Sequence, residues 1–265
     1  MSDTALLDTL TAISIDAGAR IMTLYERPIA VTEKDDKSPV TQADQAAEDI
    51  ILARLATSFP DIPVVSEEAA AAGHIPEFGD RFFLVDPLDG TREYIKRNGE
   101  FTVNIALIEM GVATAGVVYA PAQALLYAGA LGAGAHETRV DAHAPDKAGT
   151  PRRITTRAMP DAGLTAIASR SHRDHKTEEF LNHYNVNDIV TAGSSLKFCV
   201  VARGDADIYP RHGRTMEWDT AAGHAVLSAA GGTVTRLDGT PLLYGKSADG
   251  LANPYFIAKG DPSAY

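Results

Sequence analysis

The stretch Asp86-Pro87-Leu88-Asp89-Gly90-Thr91 sets two carboxylates three positions apart at the end of the apolar run 82–85. Pro87 fixes its own φ and disfavours α-helix at Asp86, while Gly90 permits backbone angles closed to other residues, so both aspartates sit on stiff backbone. Asp-Gly with a nearby proline is a turn signal, and a hairpin is the plainer reading. The chemical reading is that the carboxylates converge on a hard cation that cancels their repulsion. Two further stretches deliver acids at the end of a strand or the start of a helix: VVSEE, with Glu67 and Glu68, and MEWDTAAGH, with Glu217 and Asp219. Such ends are where rigid elements aim residues into a shared cleft. Taken alone, the glutamates suit a solvated strand exit and Asp219 suits a helix N-cap. Taken together, the three stretches suit a two-metal phosphate site, in which Mg²⁺ ions clamp the attacking and leaving oxygens of an in-line displacement. The Leu88 carbonyl is a candidate neutral ligand. Gly90 and Thr91 offer backbone N–H groups for phosphate oxygens, strengthened by a helix start if REYIKR is helical. Upstream, Thr41 stands three residues before Asp44 in a capping arrangement, and Asp44 near a metal could also orient a water as nucleophile.

These acids need elements to position them. Apolar residues at Leu6, Leu7, Leu10, Ile13, Ala17, Ile21, Leu24 and Tyr25 predict a helix over 4–26 that Pro28 ends, and a second helix is predicted over 41–58. IPVVSEE and RFFLVD read as strands, and FTVNIALIEMGVATAGVVYAP as two strands joined at Gly111. Residues 129–153 are rich in Gly, Ala, Pro and charge, and their end reads as the boundary between two lobes. That gives an N-terminal α+β lobe, 1–150, carrying the metal turn, and a C-terminal α/β lobe, 151–265, completing the site. In the second lobe LTAIAS, DADIYP and GTVTRL read as strands, and HKTEEFLNHY, SSLKFCVVARG and DTAAGHAVLSAAGG as helices.

Composition narrows the partners. With 265 residues and 45% hydrophobic content the chain can bury a sizeable core. Lys+Arg 24 against Asp+Glu 35 makes a field that repels nucleic acid and anionic membrane surfaces. The single cysteine, Cys199, excludes a disulfide framework and a Cys-based zinc cluster and fits a reducing cytosol. The first residues lack the basic flank and apolar core of a secretory signal, and no stretch approaches the ~20 apolar residues of a spanning helix. The expected location is cytoplasmic, at most peripheral at the inner membrane.

In this order along the chain, SPVTQAD, VVSEE, DPLDGT and WDTAAG resemble the inositol monophosphatase superfamily of magnesium-dependent, lithium-sensitive phosphatases. The resemblance spans nearly the whole chain. It implies a layered α-β-α-β-α sandwich with the active site between the lobes. It also implies that Glu67, Asp86, Asp89, Asp219 and the Leu88 carbonyl bind two or more Mg²⁺ ions, with Glu68 just outside that set. Thr91 and Asp44 would hold the attacking water, with Glu67 as a further catalytic partner. Glu67, Leu88, Asp89, Gly90, Thr91 and Asp219 would line the substrate. Within the superfamily, DPLDGTREYIKRNGEFTVNIALIE, ASRSHRD, GSSLKFCVVARGDADIYPR and WDTAAGHAV are similar to the bacterial 3'(2'),5'-bisphosphate nucleotidases. Those enzymes convert adenosine 3',5'-bisphosphate, a by-product of sulfate assimilation, to AMP and phosphate. Arg170, Ser171, His172 and Lys197 then become candidates for the nucleotide's second phosphate or its base. Simpler roles compete: Ser171 as the cap of the next helix, Arg170 and Lys197 as solvated cations. The stretch AAAAGHIPEFGD departs from the matching motifs. A specialist for inositol monophosphate or fructose 1,6-bisphosphate is the alternative within the superfamily, and a non-catalytic, metal-dependent anion-binding regulator is the alternative outside enzymes.

Overall fold

The computed structural model describes residues 2–29, 31–33, 39–169 and 175–261. The elements begin with α1 (Asp3–Tyr25), the short pair β1 (Val31–Glu33) and β2 (Pro39–Thr41), α2 (Gln42–Ser58), β3 (Val64–Ser66) and α3 (Glu67–Ala71). Next come β4 (Arg81–Asp89), α4 (Thr91–Ile95), β5 (Thr102–Glu109), β6 (Val112–Ala120), β7 (Leu125–Ala130), β8 (Gly134–Arg139) and β9 (Arg152–Ile154). The remainder is β10 (Leu164–Ser169), α5 (His175–Leu181), β11 (Val186–Ala192), α6 (Leu196–Ala202), β12 (Ile208–Arg211), α7 (Glu217–Ala229), β13 (Thr233–Arg236) and β14 (Phe256–Lys259).

Five layers result. The first is α1 with α2, whose three-to-four residue period buries Leu6, Leu10, Ile13, Ile21, Ala47, Ile51 and Leu55 against a seven-stranded sheet. That sheet runs β3 to β9 in sequence order, antiparallel except for the β3–β4 pair. Its other face carries α6 and α7, which pack in turn on a five-stranded sheet of order β11-β10-β12-β14-β13. Residues of β10, β12 and β14 alternate between that central core and a small outer cluster with α5, which closes the fifth layer. Among the described residues no helix is long and apolar enough to cross a membrane, and the expectation of peripheral membrane contact gains no support from the fold.

Residues 129–153 hold the end of β7, β8 and, after a loop over 140–151, most of β9, so this glycine-rich stretch extends the first sheet. Their small residues reflect packing: Gly116 of β6 pairs with Gly129 of β7 beneath α7, and a Cβ on Gly116 would lie 2.7 Å from the Ala222 carbonyl oxygen. Low strand propensity is overridden because a helix must approach the sheet closely here. Helix α7 is buried almost throughout, which lets it carry a polar first turn to the middle of the molecule. We predict that Gly116→Ala lowers the urea-unfolding free energy by about 1–3 kcal/mol through overpacking. Gly79→Ala, where nothing lies within 4 Å of the added methyl, should change it by less than about 0.5 kcal/mol.

Candidate active site

The metal turn is a bulged end of β4. Asp86 pairs with Asn104 and Asp89 with Thr102, so three steps along β4 face two along β5. An extra residue inverts the side-chain alternation of a strand. Phe82 and Leu84 face the core under α7, Phe83 and Val85 face the core under α1 and α2, and Leu88, despite its even number, joins the second group. Asp86 and Asp89 thereby fall on the same face, towards α7. Pro87 occupies the bulge, where its missing N–H interrupts no ladder bond. The Asp86 Oδ1 accepts the Leu88 N–H at 3.0 Å. Gly90, at φ 94°, then turns the chain into α4, so REYIKR contributes to a helix as its expected phosphate role requires. A Cβ on Gly90 would come within 2.3 Å of Ser194 Oγ, and that hydroxyl donates to the Asp89 and Glu100 carbonyls at 2.9 and 2.7 Å. The Ser195 hydroxyl reaches Asn104 Oδ1 at 2.6 Å, so the GSSLKFC segment is clamped onto the back of the metal turn.

Two other helices supply acids. Glu67 begins α3, which is fastened to α2 where buried Glu48 accepts the Ala69 N–H at 3.2 Å. Asp219 lies in the first turn of α7, where its Oδ2 accepts the Met216 N–H at 2.8 Å. Asp219 is therefore not the N-cap, which is Met216, but the third residue of the helix reaching back to it, and oxygens of Glu67, Asp86 and Asp219 all lie within 4.8 Å of one another. Burial raises the Asp86 and Asp219 carboxyls well above the usual aspartate range, and the neighbouring charges of Glu67 and Asp89 add to both. Asp89 stands beside this tightest triad. Burial pushes it up to about 6 against the opposing charge of Lys197. Glu68 contributes the smallest of the charges felt by Asp86. Glu217, the other acid of the MEWD stretch, turns away: its carboxylate accepts the Gly245 and Lys246 N–H groups at 2.7 and 2.8 Å. Two residues apart on a helix point in nearly opposite directions, so only one of the pair can face the cluster.

Asp44 likewise does two things at once. Its Oδ2 accepts the Thr41 N–H at 2.8 Å and the Thr41 hydroxyl at 2.7 Å, closing a capping box, while its Oδ1 accepts the Thr91 hydroxyl at 3.1 Å. Burial raises its carboxyl despite those hydrogen bonds. The Leu88 carbonyl lies 3.4 Å from Thr91 Oγ1, which brings the turn, the hydroxyl and Asp44 into one corner.

Two cations act on these acids. Lys197 is buried in α6 rather than solvated, donates to the Ser194 carbonyl, lies 5.5 Å from the Tyr209 ring centre, and is pushed down to about 8 by burial. Arg211, at the end of β12, acts on both Lys197 and Asp219, and its Nε is buried without a hydrogen-bond partner among the described residues. The sequence reading passed over Arg211. Its signal was a cation at the exit of the DADIYPR strand, seven positions after Gly204 and eight before Asp219. Arg170, Ser171 and His172 lie outside the described residues.

A family model described as the inositol monophosphatase family matches residues 3–260. The chain belongs to this family. The 3'(2'),5'-bisphosphate nucleotidase CysQ of Escherichia coli strain K12 is 44% identical over 254 residues, covering 95% of this chain and 98% of that protein. The protein of the same name from Haemophilus influenzae is 30% identical, covering 97% and 94%. The crystal structure of CysQ from Bacteroides thetaiotaomicron superposes with a TM-score of 0.81 at 38% identity, covering 98% of each chain. An inositol monophosphatase of Thermotoga maritima gives 0.76 at 26% identity, covering 97% of this chain and 92% of that one. The inositol monophosphatase layering is the one described above, and membership makes the chain a phosphatase.

The donor set fits a hard divalent cation. Every converging atom is a carboxylate oxygen, burial deprives Asp86 and Asp219 of water, and the neighbouring carboxylates raise both further. A buried like-charge cluster destabilises the protein that carries it. In excess chelator, Asp86→Asn should therefore melt at a higher temperature than wild type, since the amide still accepts the Leu88 N–H. Added Mg²⁺ should raise the melting temperature of wild type and leave the variant nearly unmoved; an equal Mg²⁺ response in both would contradict the cluster's role.

Proposed function

We propose that the chain is a Mg²⁺-dependent 3'(2'),5'-bisphosphate nucleotidase that removes the 3'-phosphate of adenosine 3',5'-bisphosphate, leaving AMP and phosphate. The observation that carries this reading is the convergence of Glu67, Asp86 and Asp219 beside a Thr91–Asp44 hydrogen bond of 3.1 Å. Likeness to proteins named for that activity, at 44% identity, supports the nucleotide as substrate. So do Lys197 and Arg211, a cationic border for a second phosphate beside an otherwise acidic site.

Glu67, Asp86, Asp89, Asp219 and the Leu88 carbonyl would hold Mg²⁺, which offsets phosphate charge and lowers the pKa of a water. Thr91 donates its hydroxyl hydrogen bond to Asp44, so the Thr91 oxygen keeps a lone pair to accept a hydrogen bond from the attacking water, and Asp44 takes the proton relayed through that hydroxyl. Asp44, raised by burial, is a better proton acceptor than a solvated aspartate, and the Thr41 contacts fix its direction. The N–H groups of Gly90 and Thr91 hold phosphate oxygens. The water oxygen bonds to phosphorus as the ester P–O bond breaks, and the ester oxygen leaves with that bond's electron pair and takes a proton from solvent water, giving the 3'-hydroxyl and phosphate.

Phosphate release from adenosine 3',5'-bisphosphate, inositol 1-phosphate and fructose 1,6-bisphosphate, with Mg²⁺ and with chelator, tests the proposal. The largest kcat/KM should belong to the nucleotide and all turnover should stop in chelator; equal rates on the three would reduce the reading to a broad phosphatase. Asp44→Asn and Thr91→Ala should each lower kcat by at least ~100-fold with KM nearly unchanged, and the double variant should be scarcely worse than either. An Asp44→Asn protein that melts earlier yet keeps its kcat would assign Asp44 to helix capping alone. Arg211→Ala should raise KM for the bisphosphate nucleotide well beyond its effect on inositol 1-phosphate, since only the former carries a second phosphate.

A further inference from the structure

Glu217 has no part in the reaction just described, yet among the described acids it has the least exposure, 0%. Three donors meet it: the Gly245 N–H on Oε2 at 2.7 Å, and the Lys246 N–H and ammonium on Oε1 at 2.8 and 2.6 Å. The segment 244–253 that supplies them also wraps the start of α7. The Glu217 N–H donates to the Leu251 carbonyl at 2.9 Å, and the Asn253 amide donates to the Met216 carbonyl at 2.7 Å and to Thr220 Oγ1 at 3.0 Å. One turn further on, His224 meets the Tyr244 hydroxyl at 2.9 Å.

These fastenings bear on Asp219 through one bond. Its Oδ2 is held by the Met216 N–H, so the direction of its carboxylate follows the position of the Met216 backbone. That backbone is fixed on one side by Asn253 and on the other by Glu217, the next residue. We propose that Glu217 is a positioning residue that locks the first turn of α7 to segment 244–253 and thereby sets Asp219 in the cation site. The proposal rests on the reading of Asp219 as a ligand. Partners that orient a ligand without touching the metal typically govern metal affinity by about 10–100-fold.

Glu217→Gln keeps the shape but turns an NH₂ against groups that are all donors, leaving buried donors unpaired. Mg²⁺ binding followed by calorimetry on the folded protein, with Mn²⁺ binding by electron paramagnetic resonance as a second readout, should show affinity weakened at least ~10-fold. At saturating Mg²⁺, kcat should stay within about threefold of wild type. Asp207→Asn serves as the control: it breaks the ion pair to Arg157 (2.7 Å) outside the metal cluster and should lower the melting temperature without changing Mg²⁺ affinity. A Glu217→Gln protein that melts earlier but binds Mg²⁺ like wild type behaves as that control and overturns the proposal. Should Glu217→Gln fail to fold, Lys246→Met removes a single donor and should still weaken Mg²⁺ binding measurably; unchanged binding there overturns the proposal equally. Asp219→Asn separates the ligand role of Asp219 from the positioning role of Glu217. If it binds Mg²⁺ normally, the ligand reading falls and the positioning role with it; if it is deficient while Glu217→Gln is normal, only the positioning role falls.

Discussion

Buried carboxylates repel one another, and the architecture around Asp86 is organised to hold them together nonetheless. Glu67, Asp86 and Asp219 come from three elements distant in sequence, their oxygens approach within 4.8 Å, and burial strips water from Asp86 and Asp219. No pair of them would stay so close on flexible backbone. Each is therefore tied to a rigid support: Asp86 to a bulged strand inside a seven-stranded sheet, Glu67 to a short helix fastened by Glu48, and Asp219 to a helix packed between two sheets. The five layers can be understood as the means of bringing these supports to one point. The cluster costs stability in the absence of a cation, a cost characteristic of functional sites.

Capping and chemistry are combined rather than opposed. Asp44 and Asp219 each use one carboxylate oxygen to satisfy a helix's first turn. In Asp44 the other oxygen meets Thr91, and Asp219 places an oxygen in the cluster. An N-cap bond fixes a carboxylate's orientation with backbone geometry, which loses less conformational freedom than locking a long side chain would. The same economy explains why the site relies on aspartates at helix starts and on a strand bulge, the bulge itself being backed by the hydroxyls of Ser194 and Ser195.

Much of this was legible in the residues themselves. The amphipathic period of α1 and α2, the stiffness of the Pro87–Gly90 turn and the grouping of acids at element ends all follow from local chemistry, and the turn indeed carries both aspartates on one face. Other features were not local. That the glycine-rich start of residues 129–153 completes β7 and forms β8 depends on α7 packing on β6 and β7, information that glycine-rich sequence conceals. Glu217 and Asp219 looked equivalent until the segment around Gly245 was seen to claim the first. Lys197 looked solvated because the helix that carries it is polar only at that position, and its burial is decided by Tyr209 and Ser194 from other elements. Arg211 was passed over because a single cation at a strand exit has no pattern of its own; its meaning comes from Asp219 and Lys197 beside it.

The central claim is that the bulge at Asp86–Asp89 and the two helix starts form a divalent-cation site. Anomalous diffraction near the manganese edge, from crystals of the protein grown with Mn²⁺, tests it most directly. The account predicts at least one strong peak bounded by Glu67, Asp86 and Asp219, within bonding distance of their oxygens, and its loss in crystals of Asp86→Asn. A wild-type map with no peak among these residues, or with peaks only at other acids, would contradict it.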